Sequence, residues 1–115
     1  MDELILSTME SYNQYIDVVF TETEKIVKSL RDGNIQVAIK NILDFSEGVD
    51  WMAQVNEKLA ILGYENSLYI KKIHEFLEEI NSGLEIQDFL LVADIFEYEI
   101  KPFFERVKPY EIPAN

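Results

Sequence analysis

The side chains that could carry acid–base, metal or nucleophilic chemistry are few and poorly grouped in this sequence. His74 is the only histidine, and the chain has no cysteine. A carboxylate-bridged two-metal centre in a helical bundle needs a glutamate three residues before each of two histidines, but Lys71 occupies that position here. A serine nucleophile would depend on the same single histidine as its base. We therefore predict no catalytic residue, no metal site and no cofactor.

Acidic residues occur in close pairs, such as Glu78 with Glu79 and Glu97 with Glu99. Paired carboxylates serve as acid and base in glycoside hydrolases, whereas on an amphipathic helix they are typical of the solvated face. The four glycines are single and scattered, so the chain has no glycine-rich loop that would hold phosphate. A carboxylate-lined bundle that binds metal or acts as an enzyme is the alternative hypothesis.

The charge balance restricts the partners. Twenty-two acidic residues against ten basic ones give a net charge of −12. Such a surface repels phosphate, so we predict no binding to nucleic acid and none to anionic membranes. Mimicry of nucleic acid would need an acidic stripe on one side, but the acids are spread over the whole chain. The absence of cysteine fits a reducing compartment, and we predict a cytoplasmic protein without a membrane span or signal peptide.

Apolar residues recur at steps of three and four along most of the chain, which indicates amphipathic helices. Gly33, Gly63 and Gly83 follow the ends of three such patterns, where glycine commonly terminates a helix. The pattern predicts an all-α, up-and-down bundle of four main helices, at about residues 2–31, 34–62, 67–82 and 85–107. Residues 1–108 would form one domain.

The segment Leu84–Val107 is the most apolar part of the sequence. Its main apolar stripe consists of Ile86, Phe89, Ala93, Phe96, Ile100, Phe103 and Val107. A second apolar set, Leu91, Ile95 and Tyr98, lies on roughly the opposite side of the same helix. A helix with two apolar faces is covered on both. It is therefore either the central helix of the bundle or a core helix that also forms an interface.

Pro102 lies inside this last helical pattern, where proline removes a hydrogen bond and clashes with the preceding turn. Either the helix continues with a kink, or it ends near Lys101 and a short helix restarts there. The unbroken stripe favours the kink. Residues 109–115 contain two prolines and no periodicity, so we predict a loosely ordered tail.

Two sets of residues are candidates for partner binding. The first is the second apolar set of the last helix, Leu91, Ile95 and Tyr98, together with Pro102. If the other helices leave it uncovered, it forms a patch for a protein partner or for a second copy of the chain; otherwise it is buried core.

The second candidate set is Trp51 and Met52, which follow Gly48. We interpret Gly48 as a bend or a close helix crossing, and large side chains beside it either line a groove for a partner's helix or belong to the core.

The run Leu90–Glu105, LLVADIFEYEIKPFFE, resembles the closing helix of an uncharacterised family of small acidic all-helical proteins from Gram-positive bacteria. The segments LRDGN and INSGL resemble its glycine turns. The resemblance implies an all-helical fold, no established activity and no functional residues. In size, acidity and number of helices the chain is also similar to the flagellin-specific export chaperones, which is a similarity of architecture alone. We predict a non-enzymatic, chaperone-like or adaptor-like interaction protein.

Overall fold

Two long antiparallel helices form one half of the molecule in a computed structural model that describes residues 2–66 and 68–113. Helix α1 (Glu3–Arg31) begins after Asp2, whose carboxylate accepts a hydrogen bond of 2.7 Å from the amide of Leu4. Helix α2 (Ile35–Ile61) follows a tight turn in which Gly33 has a φ of +79°. That left-handed conformation is readily adopted by glycine and closes the hairpin.

A shorter pair of helices packs against this hairpin. Helix α3 (Ile70–Glu85) is followed by helix α4, residues 89–105. Helix α4 has three consecutive parts, an α-helix at Phe89–Ile95, a π-helical turn at Phe96–Ile100 and an α-helix at Lys101–Glu105. The prediction of an all-α bundle of four main helices is therefore confirmed, as is the irregularity in the last helix.

The turn between α3 and α4 lies further along the chain than predicted. The third helix was predicted to end just before Gly83. Helix α3 instead continues to Glu85, and the chain reverses at Gln87, which has a φ of +55°. Gly83 is a packing position instead of a terminator. A Cβ atom placed there would lie 2.7 Å from Cγ2 of Val92, so the absence of a side chain allows α3 and α4 to approach closely. The predicted start at Ser67 lies outside the described residues.

The helix continues through Pro102 with an irregular turn before the proline, in agreement with the predicted kink. The amide of Lys101 donates to the carbonyl oxygen of Phe96, five residues earlier, which is the π-helical pattern. A proline ring normally clashes with the carbonyl group four residues before it. The wider turn relieves this clash, so the helix is not ended by the proline.

Three contacts fix the antiparallel register of α1 and α4. Arg31, in the last turn of α1, donates to Asp94 at 2.9 Å and to Glu97 at 2.8 Å. Two turns earlier in α1, Glu24 lies 3.6 Å from the amine of Lys101. In this register α4 covers the C-terminal half of α1, and residues 106–113 extend over its N-terminal half.

Within the predicted tail, Tyr110 is attached to α1. The backbone amide of Tyr110 donates to Oδ1 of Asn13 at 2.7 Å, and Nδ2 of Asn13 donates back to the Tyr110 carbonyl group at 3.0 Å. The ring is 5% exposed and lies 4.8 Å from the ring of Tyr12. Tyr110 therefore belongs to the buried core, where its ring packs against Tyr12. Ala114 and Asn115 lie outside the described residues.

The centre of the bundle is an aromatic cluster that joins three helices. Phe45 of α2 packs edge-on against Phe96 and Phe104 of α4, at ring-centroid distances of 5.1 and 6.0 Å. Phe103 contacts Phe76 of α3 at 5.3 Å. Edge-to-face pairs of this kind each add about 0.5–1.5 kcal/mol beyond the burial of apolar area. The cluster therefore joins α2 and α3 to α4.

Candidate functional site

A surface groove runs between α3 and α4 on the outer side of the bundle. It consists of two cavities, of about 540 Å³ near the α3–α4 turn and about 430 Å³ towards the C-terminal end of α4. The first cavity is lined by Glu75, Glu78, Glu79, Ser82, Gly83, Ile86, Leu91, Ile95 and Glu99. The second is lined by Lys72, Phe76, Tyr98, Glu99, Pro102, Phe103, Arg106 and Val107. Because Glu99 lines both, the two cavities meet at this residue.

Helical spacing explains why these side chains share one groove. The lining residues of α4 include Leu91, Ile95, Glu99, Pro102 and Arg106, which follow one another at steps of four, four, three and four. Such steps keep side chains on one face of a helix. Tyr98 also reaches the groove, beside Glu99 within the π-helical turn.

Helix α3 contributes its face in the same way. Lys72, Glu75, Glu79, Ser82 and Ile86 follow one another at steps of three and four and all line the groove. The groove is therefore formed by two matching helical faces, with Gly83 allowing their close approach at one end.

The four predicted residues of the last helix all line the groove, but at different depths. Ile95 is 5% exposed and belongs to the floor, while Leu91 is 43% exposed and forms a wall. Tyr98 is 68% exposed at the rim, and Pro102 is half-buried. Ile86, at the α3–α4 turn, is 70% exposed and extends the apolar surface. These apolar side chains are therefore available to a partner except for Ile95, which the bundle already covers.

The rim of the first cavity is acidic. Glu78, Glu79 and Glu99 are exposed, and Glu75 is half-buried. Glu75 lies 3.5 Å from the amine of Lys72, which in turn lies 5.1 Å from the centre of the Phe76 ring. Positive side chains, Lys72 and Arg106, line the second cavity only. The groove therefore changes from acidic near the α3–α4 turn to partly basic near the end of α4.

A second, shallower depression lies between α1 and α2. Its volume is about 480 Å³, and it is lined by Ser11, Tyr15, Asp44, Glu47, Gly48 and Trp51. Trp51 packs edge-on against Tyr15 at a ring-centroid distance of 5.6 Å. A Cβ atom on Gly48 would lie 2.6 Å from Cζ of Tyr15, so Gly48 provides the close helix crossing expected there. Burial and, secondarily, the carboxylates of Glu22, Asp44 and Glu47 raise the pKa of Tyr15.

The two members of the predicted Trp51–Met52 pair have different surroundings. Trp51 is 37% exposed, whereas Met52 is fully buried in the core. Consecutive residues of a helix point about 100° apart, so a helix that buries one of them exposes the other at its edge. Met52 therefore contributes to packing, and Trp51 alone remains available at the surface.

Sequence reasoning missed the contribution of α3 to the groove. It assigned Glu78 and Glu79 to a solvated face and treated the last helix alone as the candidate surface. The spacing of Lys72, Glu79 and Ile86 provided a signal, because it defines a face beside the buried stripe of Ile73, Phe76 and Ile80. The pairing of that face with α4 depends on the tertiary fold.

Residues 2–66 and 68–113 contain neither a metal-binding cluster nor a membrane-spanning helix. No three His, Asp or Glu side chains in these ranges converge closely enough to hold a metal ion. His74 is exposed on α3 and does not line either cavity of the groove. None of the helices in the described part of the chain combines the length and hydropathy needed to cross a bilayer.

Comparison with known proteins gives one informative result. No curated protein and no solved structure shows significant similarity to this chain. A family model described as a domain of unknown function, DUF8042, matches residues 7–110, which include most of α1, all of α2, α3 and α4, and the docked Tyr110. This finding agrees with the expectation of an uncharacterised family. Since the match covers most of its length, the chain belongs to the DUF8042 family.

Proposed function

We propose that this protein is a non-enzymatic interaction module, chaperone-like or adaptor-like, which binds a helical segment of a protein partner between α3 and α4. The observation that carries the proposal is the groove itself, where exposed Leu91 and Ile86 border the buried side chain of Ile95. Contiguous apolar surface on a protein is characteristic of sites that bind other proteins. The chain is acidic and has no cysteine, and this composition fits a cytoplasmic module.

The dimensions of the groove suit a helix. Helix α4 forms one wall and comprises residues 89–105, which at ~1.5 Å per residue extend for roughly 25 Å. A partner helix of about four turns would match that length. Amphipathic helices bind grooves of this kind by inserting apolar side chains spaced at three and four residues.

The groove offers little that favours catalysis. Its lining contains neither histidine nor a cluster of acids capable of holding a metal among the described residues. The glutamates of the rim are mostly exposed, whereas a carboxylate-lined metal bundle directs its acids inward. These features support a binding role over the alternative of a metal-binding or enzymatic bundle.

A selection experiment tests the proposal directly. A phage-displayed library of helical 16-residue peptides would be selected against the wild-type protein and counter-selected against Leu91→Glu. Leu90→Glu is the matched control, because Leu90 is 66% exposed and lines neither cavity. We expect peptides that bind wild type and Leu90→Glu and lose binding to Leu91→Glu. Failure to obtain any such peptide, with both variants folded by circular dichroism, would refute the proposal.

A further inference from the structure

We infer that the occupant of the α3–α4 groove is an amphipathic helix whose polar flanks are basic in the half that lies over the first cavity. This inference rests on the proposed function and specifies the chemistry of the partner. Three exposed glutamates, Glu78, Glu79 and Glu99, border the apolar surface of that cavity. An apolar stripe flanked by lysine or arginine would bury its leucines on this surface and place its charges beside these carboxylates.

The glutamates come from both walls of the groove. Glu78 and Glu79 belong to α3, and Glu99 belongs to α4. A bound helix would therefore have carboxylates on either side of its apolar stripe. None of the three carboxylates forms an ion pair within 4.0 Å in the described part of the chain. Their charges are consequently available to a partner.

The second cavity has a different charge and gives the site a polarity. Lys72 and Arg106 line it, while Glu99 at the junction is its only acidic lining residue. A helix that is basic along its whole length would place positive charges beside these two side chains. The complementary helix is thus basic in one half and neutral or acidic in the other, and electrostatic complementarity of this kind fixes register and orientation.

The same charges disfavour a second copy of the chain as the occupant. The protein has a net charge of −12. In a symmetric dimer each copy contributes the same surface, so a dimer through this groove would bring together three exposed glutamates and only two basic lining residues from each copy. Like charges at an interface are unfavourable. A partner with basic side chains removes this repulsion.

The test uses three synthetic helical peptides of 16 residues with an identical leucine stripe. The flanks of one half carry lysine, glutamate or glutamine, and the other half carries glutamine in all three. Binding to the full-length protein would be measured by fluorescence anisotropy at low and at physiological salt. We expect the lysine peptide to bind about ten-fold more tightly than the glutamine peptide and the glutamate peptide to bind most weakly.

A matched pair of variants separates the rim from the overall charge. The triple variant Glu78→Gln, Glu79→Gln, Glu99→Gln removes three charges from the rim. The control, Glu10→Gln, Glu57→Gln, Glu111→Gln, removes three exposed charges that line neither cavity. We expect the rim variant to lose most of the preference for lysine over glutamine and the control variant to keep it.

Each outcome distinguishes the inference from the function on which it rests. Equal losses in the two triple variants would show that net charge alone attracts the lysine peptide and would overturn the inference. Equal binding of the lysine and glutamine peptides, abolished by Leu91→Glu, would overturn it while leaving the proposed function intact. Binding of none of the three peptides, together with an empty phage selection, would refute both.

Discussion

The side-chain amide of Asn56 donates a hydrogen bond of 3.0 Å to the phenol oxygen of Tyr110, 54 residues further along the chain. Asn56 is 7% exposed on α2, and Tyr110 is 5% exposed. Together with the paired bonds between Tyr110 and Asn13 on α1, this contact attaches the C-terminal segment to both helices of the long hairpin. The segment is therefore an integral part of the core, which explains why the family match extends to residue 110.

Substitution of Tyr110 should destabilise the whole bundle. Tyr110→Phe leaves the buried amide of Asn56 without this acceptor, and we expect a loss of about 1–2 kcal/mol in the free energy of unfolding. Tyr110→Ala also removes the ring that covers Tyr12, and we expect about 3–5 kcal/mol. Urea unfolding monitored by circular dichroism measures both.

Tyr69→Phe is the control for this comparison, because Tyr69 is 60% exposed. The urea concentration at the unfolding midpoint of Tyr69→Phe should equal that of the wild type. If Tyr110→Ala unfolded at the wild-type midpoint as well, the docked position of the tail would make no contribution to stability.

Tyr12 should make the protein sensitive to alkali. Its hydroxyl group is buried without a partner in the described part of the chain, and burial, followed by the neighbouring Tyr110, raises its pKa well above the usual value. Burial also raises the pKa of Tyr110, and the hydrogen bond with Asn56 lowers it by a smaller amount. Folding keeps these hydroxyl groups protonated, so the free energy of unfolding keeps its full value below pH ~10 and falls above it, by about 1.4 kcal/mol per pH unit for Tyr12.

Tyr12→Phe tests this account at two pH values. At pH 7 the variant should be more stable than wild type by about 1 kcal/mol, because an unpaired buried hydroxyl group is removed. Above pH 10 its stability should fall less steeply than that of the wild type, since the titrating hydroxyl group of Tyr12 is absent. A variant that is less stable at pH 7 would show that the hydroxyl group has a favourable interaction in solution.

The periodicity of the sequence was sufficient to predict the helices because the buried residues of each recur mainly at steps of three and four. Stripes such as Ile73, Phe76 and Ile80 require only the local 3.6-residue repeat. The role of Gly83 could not be predicted in this way. A glycine near the end of an apolar pattern normally terminates a helix, and only the position of Val92, in another helix, shows that it is a contact point.

One wall of the groove could be recognised from the sequence because its residues follow the local helical repeat. Leu91, Ile95, Tyr98 and Pro102 share a face that can be recognised within one helix, and the structure places all four along one groove. The opposite wall, with its glutamates, depends on which face of α3 adjoins α4. The docking of Tyr110 depends on Asn13 and Asn56, which are distant in sequence, so local patterns contain no trace of it.

Gly83→Ala should destabilise the protein through a clash with Val92. Alanine is favoured over glycine in a helix by about 1 kcal/mol, but its Cβ atom would lie 2.7 Å from a methyl group of the fully buried Val92. Overpacking of this kind costs about 1–3 kcal/mol, so we expect a net loss measured by thermal or urea unfolding.

The double variant Gly83→Ala, Val92→Ala provides the control. Removal of the two Val92 methyl groups creates space for the new Cβ atom, so the effects of the two substitutions should not add. We expect a coupling free energy of about 1 kcal/mol or more in a double-mutant cycle. Additive effects would mean that the two helices separate slightly and do not clash.

The different depths of Leu91 and Ile95 lead to opposite expectations for their substitution by glutamate. Ile95 is 5% exposed, so Ile95→Glu places a carboxylate among apolar side chains and should destabilise the protein by several kcal/mol. Leu91 is 43% exposed, so Leu91→Glu should retain the fold and the wild-type unfolding midpoint.

Light scattering should show the 13.5 kDa mass of a monomer for wild type and Leu91→Glu, because glutamates at the groove rim oppose self-association. A wild-type dimer that Leu91→Glu converts into a folded monomer would instead assign the groove to a second copy of the chain.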